Sequence, residues 1–411
     1  MSTDSTSAGT SASPGGAAAS TVTCGVCGTK VPAGAYCGFC GAVLFRQRGH
    51  GLAGLRAHTY SAAQAEHVLR LSVVSSLFPH LPHRSRAAFR SGLAVLIMVL
   101  VVLALLRWQG ALVAVSALGF PLLFLIYLEE SDVYGDDDLP VATMLLTAVM
   151  GAGLGAGWAL LTAPLVARSY SAMGALSSHA ILRDGLAIPV GGAVLMLVPA
   201  VVVRLLRPRN LESLDGFLVG SLGAVAFTAA ATLVRLAPQL ARGLVDPDRP
   251  VGVFVAEACI AGVAVPLTAA AVGGMVGAAL WYTWQRGARQ QQLKRLAAAG
   301  VPSVAVVVIV YAAVGLIDIA RLPDPVVVTL HLLIAAGAVL ALRVAIHLAL
   351  LNEMREEMRG EPIVCAECHH VVPDIAFCPN CGVSIRASSR TSRQARRLPA
   401  SEPDHTTREQ A

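Results

Sequence analysis

From Leu186 to Leu236 the chain is two apolar runs, LAIPVGGAVLMLVPAVVVRLL and GFLVGSLGAVAFTAAATLVRL, joined by RPRNLESLD. A helix of ~20 apolar residues crosses a hydrocarbon core of about 30 Å, so each run is long enough to span a membrane. The short join makes the pair a helical hairpin, with an arginine-rich turn at one bilayer face and Asp215 at the mouth of the second helix. Everything else in the chain has to be compatible with that hairpin.

Composition extends the argument to the whole chain. Of 411 residues 55% are hydrophobic and 14% charged, and the mean hydropathy is +0.66, beyond the range of soluble globular proteins of this size. Transmembrane strands would alternate polar and apolar residues, and that period is absent, so a barrel is excluded. The fold class expected is an all-α polytopic membrane protein of about eight transmembrane helices, near 91–106, 110–128, 140–167, 186–206, 216–236, 253–281, 301–320 and 326–351. A formal charge of +6 and a pI near 9.0 fit basic cytoplasmic loops. Nucleic acid is disfavoured as a partner, because no basic and aromatic stripe accompanies the charge.

Nine cysteines are present, eight of them in CxxC pairs at the two ends. Cys24, Cys27, Cys37 and Cys40 read CGVC, nine residues, CGFCG; Cys365, Cys368, Cys378 and Cys381 repeat the same gap. Two close pairs of soft thiolates suit tetrahedral zinc, and segments this short do not fold without a staple. Two structural Zn2+ sites are therefore expected, with a rubredoxin-type or Fe–S iron site as an alternative. Disulfides are disfavoured by a reducing compartment. His369 and His370 could substitute as ligands, but four thiolates already close a site. Cys259 lies in an apolar run and reads as a packing residue.

The expected organisation follows. Residues 1–22 are a low-complexity tail read as disordered, with no apolar core of a signal peptide. A zinc ribbon occupies 23–45. A basic linker over 46–90 is expected to lie on the inner leaflet as an interfacial helix anchored by Leu69, Val73, Leu77 and Phe78, a solvated linker being the alternative. The bundle spans 91–351, a helical extension 352–362, the second ribbon 363–384, and a disordered basic tail 385–411. Arg204, Arg207 and Arg209, and the tract Arg286, Arg289, Lys294 and Arg295, fall inside if the N-terminus is cytoplasmic. An even span number then makes the protein multi-pass in the cell membrane with both termini cytoplasmic. Gly151 with Gly155, Gly153 with Gly157, Gly216 with Gly220 and Gly273 with Gly277 stand at helix-packing spacing.

Charged residues inside a bilayer are costly and therefore functional candidates. Here they are Asp184, Asp215, Glu257, Asp318, His331, Arg343 and His347, with snorkelling or helix capping as the simpler role for most. No span carries adjacent carboxylates, HExxH or GxSxG, so no general acid/base or nucleophile constellation is legible.

Four segments in order carry a resemblance. PLLFLIYLEESDVYGDDDLP, then LESLDGFLVGSLGAVAF with Asp215, Gly216, Gly220 and Gly223, then PLTAAAVGGMVG, then VGLID with Gly315 and Asp318, resemble the PrsW family of intramembrane proteases over about residues 119–320. The resemblance implies a glutamate pair where this chain has Gly191 and Gly192, a further glutamate within AFTAAA, and histidines near Ala269 and Val314. All are missing, which implies a protease scaffold without its catalytic groups, with Gly191, Gly192, Asp215, Gly216, Ala269 and Asp318 as vestigial positions. The function expected is a non-catalytic PrsW-like membrane protein, a pseudoenzyme bound to membrane lipid and to a membrane or cytoplasmic protein partner, its ribbons serving as docking or structural modules. The alternatives are a protease of unusual chemistry using Asp215, Asp318 or Glu257, and a lipid or small-molecule transporter or scaffold.

Overall fold

The structure, a computed structural model, describes residues 20–25, 28–39, 41–44, 83–106, 108, 111–112, 114–116, 118–119, 123, 140–171, 181–206, 213–242, 251–282, 289–320, 322–353, 362–375, 377–383, 385 and 395–397. Residues 46–82 of the interfacial helix expected over 46–90, the acidic residues within 129–138 and the extension beyond Glu353 lie outside these residues, as do Cys27 and Cys40.

The long helices are α1 (His83–Leu105), α2 (Val141–Ser171), α3 (Ile181–Leu205), α4 (Ser213–Arg242), α5 (Val251–Trp281), α6 (Arg289–Ile319) and α7 (Asp324–Glu353). Five segments are long and apolar enough to cross a membrane: Val141–Leu165, Ile181–Leu205, Ser213–Pro238, Val255–Trp281 and Asp324–Ile346. Shorter apolar stretches, Arg90–Leu105 and Ser303–Ile319, stand where two further spans were expected. The remaining expected span, 110–128, is described only in part. Its helical residues run antiparallel to α1, since a side chain at Gly92 would meet Leu123 and one at Gly119 would meet Leu96.

The inner pair is α4 and α5, whose spanning stretches are mostly buried, while α2, α3 and α7 turn most of theirs outward. Glycine sets this arrangement. Gly216 and Gly220 of α4 lie against the backbone of Gly277 and Gly273 of α5, so the two helices touch main chain to main chain. Ser221 Oγ adds a buried bond to the Ala270 carbonyl across the same seam, at 3.0 Å. Around it Phe217, Met196, Val272, Trp281, Leu342 and Ile346 form a continuous core.

Two helices widen locally. α3 begins with an i→i+5 turn over Ile181–Ala187 and α5 contains one over Ala258–Ala264. In each case a proline follows two residues later, Pro189 and Pro266. A proline ring collides with the carbonyl four residues earlier in a regular helix, and widening relieves it. Those earlier residues are Gly185 and Gly262, both buried.

At one end of the bundle the C-terminus of α3 meets that of α5, where Arg204 Nε donates to the Leu280 carbonyl at 3.3 Å. Asp215 opens α4 at this end, beside Gly216 and Trp281. At the other end, Gly185 of α3 faces Ile319 and Leu316 of α6.

Each terminal module is a two-stranded antiparallel hairpin, β1 (Thr21–Thr23) with β2 (Lys30–Pro32), and β3 (Pro362–Val364) with β4 (Val371–Pro373). The boundaries differ from those expected. β1 reaches into the tail read as disordered, because Thr21 and Val22 pair with Pro32 and Val31. Beyond the second ribbon, Ile385 is buried and residues 395–397 return to it. Arg397 bridges Ile363 and pairs with the buried Asp374 carboxylate at 2.6 Å, and Arg396 donates to the Val364 carbonyl at 3.1 Å. At the bundle, α1 begins at His83, within the expected linker, and α6 begins at Arg289, which places Arg289, Lys294 and Arg295 on a helix.

Candidate metal centre and the polar positions of the bundle

The C-terminal hairpin delivers its first two cysteines from the turn after β3 and its last two from a second turn after β4. The two turns close in the same way. The Cys365 amide donates to the His370 carbonyl at 2.9 Å and the His369 amide to Cys365 at 3.0 Å; Cys378 N bonds Val383 O at 2.9 Å and Gly382 N bonds Cys378 O at 2.9 Å. The second turn needs the left-handed backbone of Gly382, at φ 76°. The first uses His369 at φ 55° in the corresponding place.

These turns bring the sulfurs of Cys365, Cys368, Cys378 and Cys381 within 4.8 Å of one another. The Cys365–Cys381 and Cys368–Cys378 separations are both 3.7 Å. A tetrahedral ion with metal–sulfur bonds of about 2.3 Å sets sulfurs about 3.8 Å apart, which the two 3.7 Å separations match, so the cluster can hold a metal ion. Proton chemistry agrees. Hydrogen bonds from Cys378 and Cys381 hold the Cys365 thiol well below its usual range. The same contacts with Cys365 push Cys378 up to about 12 and raise Cys381 as well. These three thiols do not all ionise together unless a cation balances them. Four sulfurs would supply all four ligands of a tetrahedral ion, with no place left open.

The N-terminal module repeats this backbone residue for residue, displaced by 341 positions. Cys24 N bonds Thr29 O at 3.0 Å, Gly28 N bonds Cys24 O at 2.8 Å, Cys37 N bonds Ala42 O at 2.7 Å and Gly41 N bonds Cys37 O at 2.8 Å. Gly28 and Gly41 take the left-handed places, at φ 71° and 74°. Cys24 and Cys37 are buried, and their partners in sequence, Cys27 and Cys40, lie outside the described residues.

In the bundle the polar candidates separate. Asp184 pairs with its neighbour Arg183 at 2.8 Å. Asp318, half exposed, pairs with the buried His331 at 3.2 Å, and His331 Nδ1 lies 2.9 Å from the Val327 carbonyl. Asp318 is also within electrostatic reach of Arg235. Asp215 is buried in the first turn of α4, where the helix N-terminus favours a carboxylate. Arg235 stands twenty residues further along the same helix, a rise of ~30 Å. Asp215 and Asp318 therefore sit at opposite ends of the bundle. Arg343 is buried in α7, Glu257 is half-buried at the start of the wide turn in α5, and the side chain of His347 is outside the described set.

Gly191 and Gly192 face the indole of Trp158 on α2. A methyl group at either would lie 2.9 Å from a ring atom. Gly216 faces Gly277 and Trp281, and Ala269 is fully buried in the core around the α4–α5 seam. These positions fall into separate places: Gly191 and Gly192 adjoin each other at Trp158, Asp215 adjoins Gly216 at the start of α4, and Asp318 lies at the other end of the bundle. Reading the sequence missed Trp158, Arg183 and Arg235, since an aromatic or arginine in an apolar run gives no hint of which helix it will face.

These features define a helical membrane protein with several helices of spanning length and a four-cysteine cluster that can hold a metal ion near its C-terminal end. No protein-family model, no curated protein and no solved structure matches the chain.

Proposed function

We propose that this is a non-catalytic multi-pass membrane protein, with both ends cytoplasmic, that carries two structural zinc ribbons and uses them to dock a protein partner beneath the bundle. The observation that carries the reading is the contrast between the two halves of the molecule. At the ribbon, four cysteines converge on one ion-sized centre. In the bundle, the places where the PrsW resemblance puts a glutamate pair are two glycines packed on Trp158, where a Cβ at either would already stand 2.9 Å from the ring. Asp215 on α4 and Asp318 on α6, at opposite ends of the bundle, are too far apart to share a proton, and aspartates serve as a pair only within a few ångströms.

Zinc at the C-terminal centre follows from an all-thiolate closed site in a reducing compartment, and zinc at the N-terminal one from its matching backbone and cysteine spacing. Basic residues Arg204, Arg207, Arg209 and Arg289 would mark the ribbon face as cytoplasmic. The test has two arms. Purified reduced protein in nanodiscs should contain two zinc ions per chain by elemental analysis, and a reconstituted single-span peptide should stay uncleaved. Cleavage that disappears on Asp215→Ala or Asp318→Ala refutes the non-catalytic reading, and a metal content near zero refutes the ribbons.

A further inference from the structure

The two ribbons pack against each other, and they do so about a pseudo-twofold axis. The Tyr36 amide donates to the Pro379 carbonyl at 3.0 Å, and the Phe377 amide donates to the Gly38 carbonyl at 2.9 Å. These bonds are counterparts under the 341-residue displacement: Tyr36 corresponds to Phe377 and Gly38 to Pro379. The aromatic rings follow the same symmetry. Phe377 covers Gly41, where an added Cβ would come 3.2 Å from the ring, and Tyr36 covers Gly382, at 2.7 Å. Gly34 closes the contact, since a Cβ there would stand 2.6 Å from the Pro379 oxygen.

The residues used are those of the metal turns themselves. Tyr36 and Phe377 each precede the third cysteine of their own module, Cys37 and Cys378. Gly41 and Gly382 each follow the fourth, Cys40 and Cys381. Each ribbon thus lays an aromatic fixed by its own cysteines on the glycine that closes the other's second turn. Tyr36 lies within electrostatic reach of Cys381 itself. A turn without its metal has only a few backbone bonds to hold it, so its half of the contact depends on the metal.

We infer that the ribbons form one metal-dependent clasp within the chain, in which each metal site supports the other and loss of either ion releases both ends. The clasp rests on the proposal that both modules bind zinc. Because neither ribbon can lie within hydrocarbon, their contact also requires both ends on one membrane face and an even number of spans, which eight satisfies.

The experiment follows zinc release from the full-length protein in nanodiscs into a chromogenic chelator. The two ions of the unaltered chain should leave in one phase. Gly34 has an ordinary backbone conformation and touches no ligand, so Gly34→Leu leaves the eight cysteines in place while driving a side chain into Pro379. It should retain two zinc ions and release them at least about tenfold faster, the scale on which groups supporting metal ligands act. Cys378→Ser with Cys381→Ser, which removes the C-terminal site, should speed release from the N-terminal site to a similar degree. Unaltered release rates, for both ions of Gly34→Leu and for the one remaining N-terminal ion of the double serine variant, would overturn the clasp while leaving the zinc reading intact. A content below two ions in the unaltered chain would overturn both. Recovery of the slow phase when chains mutated in opposite ribbons are reconstituted together would overturn pairing within one chain in favour of pairing between copies.

Discussion

Adding one methyl group to chosen glycines should separate packing from lipid exposure in the bundle. At Gly273 a Cβ would lie 2.5 Å from the Gly220 carbonyl oxygen and 2.6 Å from Ala224 Cβ. Ordinary contact needs about 3.5 Å, so α4 and α5 would have to part by ~1 Å along a seam where backbone meets backbone. Neither neighbour is the end of a flexible side chain, so the strain is not relieved by a rotamer change. Overpacking of this kind costs about 1–3 kcal/mol. At roughly 2 °C per kcal/mol for a chain of this size, Gly273→Ala should lower the unfolding midpoint by about 2–6 °C. Gly153 and Gly157 on α2 have nothing within 4 Å of the same added atom. There alanine adds only helix propensity, about 0.5–1 kcal/mol in favour of the helix, and the midpoint should rise or stay level. Thermal unfolding of the three single variants in one detergent, followed by circular dichroism, measures both signs. A Gly273→Ala midpoint equal to that of Gly153→Ala would refute the assignment of α4 and α5 as the close-packed inner pair.

Trp281 is fully buried on α5, and among the described residues its indole N–H has no hydrogen-bond acceptor. Trp281→Ala should therefore cost about 3–5 kcal/mol by cavity formation, with Trp281→Phe recovering much of the loss in the same melting assay. Metal retention should depend steeply on pH. With Cys378 pushed up to about 12 and Cys381 raised as well, both keep their protons at neutral pH until an ion displaces them. Binding then expels at least these two protons, so affinity falls as pH falls, by about 100-fold per unit between pH 7 and 6. Competition with a chelator of known affinity at the two pH values checks the slope, and a pH-independent affinity would count against thiolate ligation.

Much of the architecture was legible in the chain. Apolar runs of bilayer length announce spanning helices because an unpaired backbone group in hydrocarbon is so costly that no other local structure survives there. The ends of α4 and α5 came within a few residues for that reason. The cysteine modules were legible because ligand spacing and the glycines beside them encode their own turns, with no help from distant residues. Their boundaries were not, since Thr21 and Arg397 look like tail residues until β2 and Asp374 are placed beside them.

Which face of a helix meets which neighbour lay beyond reach. MGAGLGAGW offers two interleaved glycine pairs of equal merit. The structure buries Gly151 and Gly155 against the backbone of α4 at Gly223 and Phe227, and leaves Gly153 and Gly157 open. In a lipid environment both faces of a helix are apolar, so composition carries no inside and outside, and only the neighbouring helix selects between them. The same holds for Gly191 and Gly192, whose missing side chains mean little until Trp158 fills the space. It holds most clearly for the ribbons. The sequence by itself determined two copies of one cysteine-paired turn, 341 residues apart. That the copies meet face to face, with Tyr36 over Gly382 and Phe377 over Gly41, was decided by the bundle between them, because a contact between distant residues depends on the path the chain takes and not on the residues that make it.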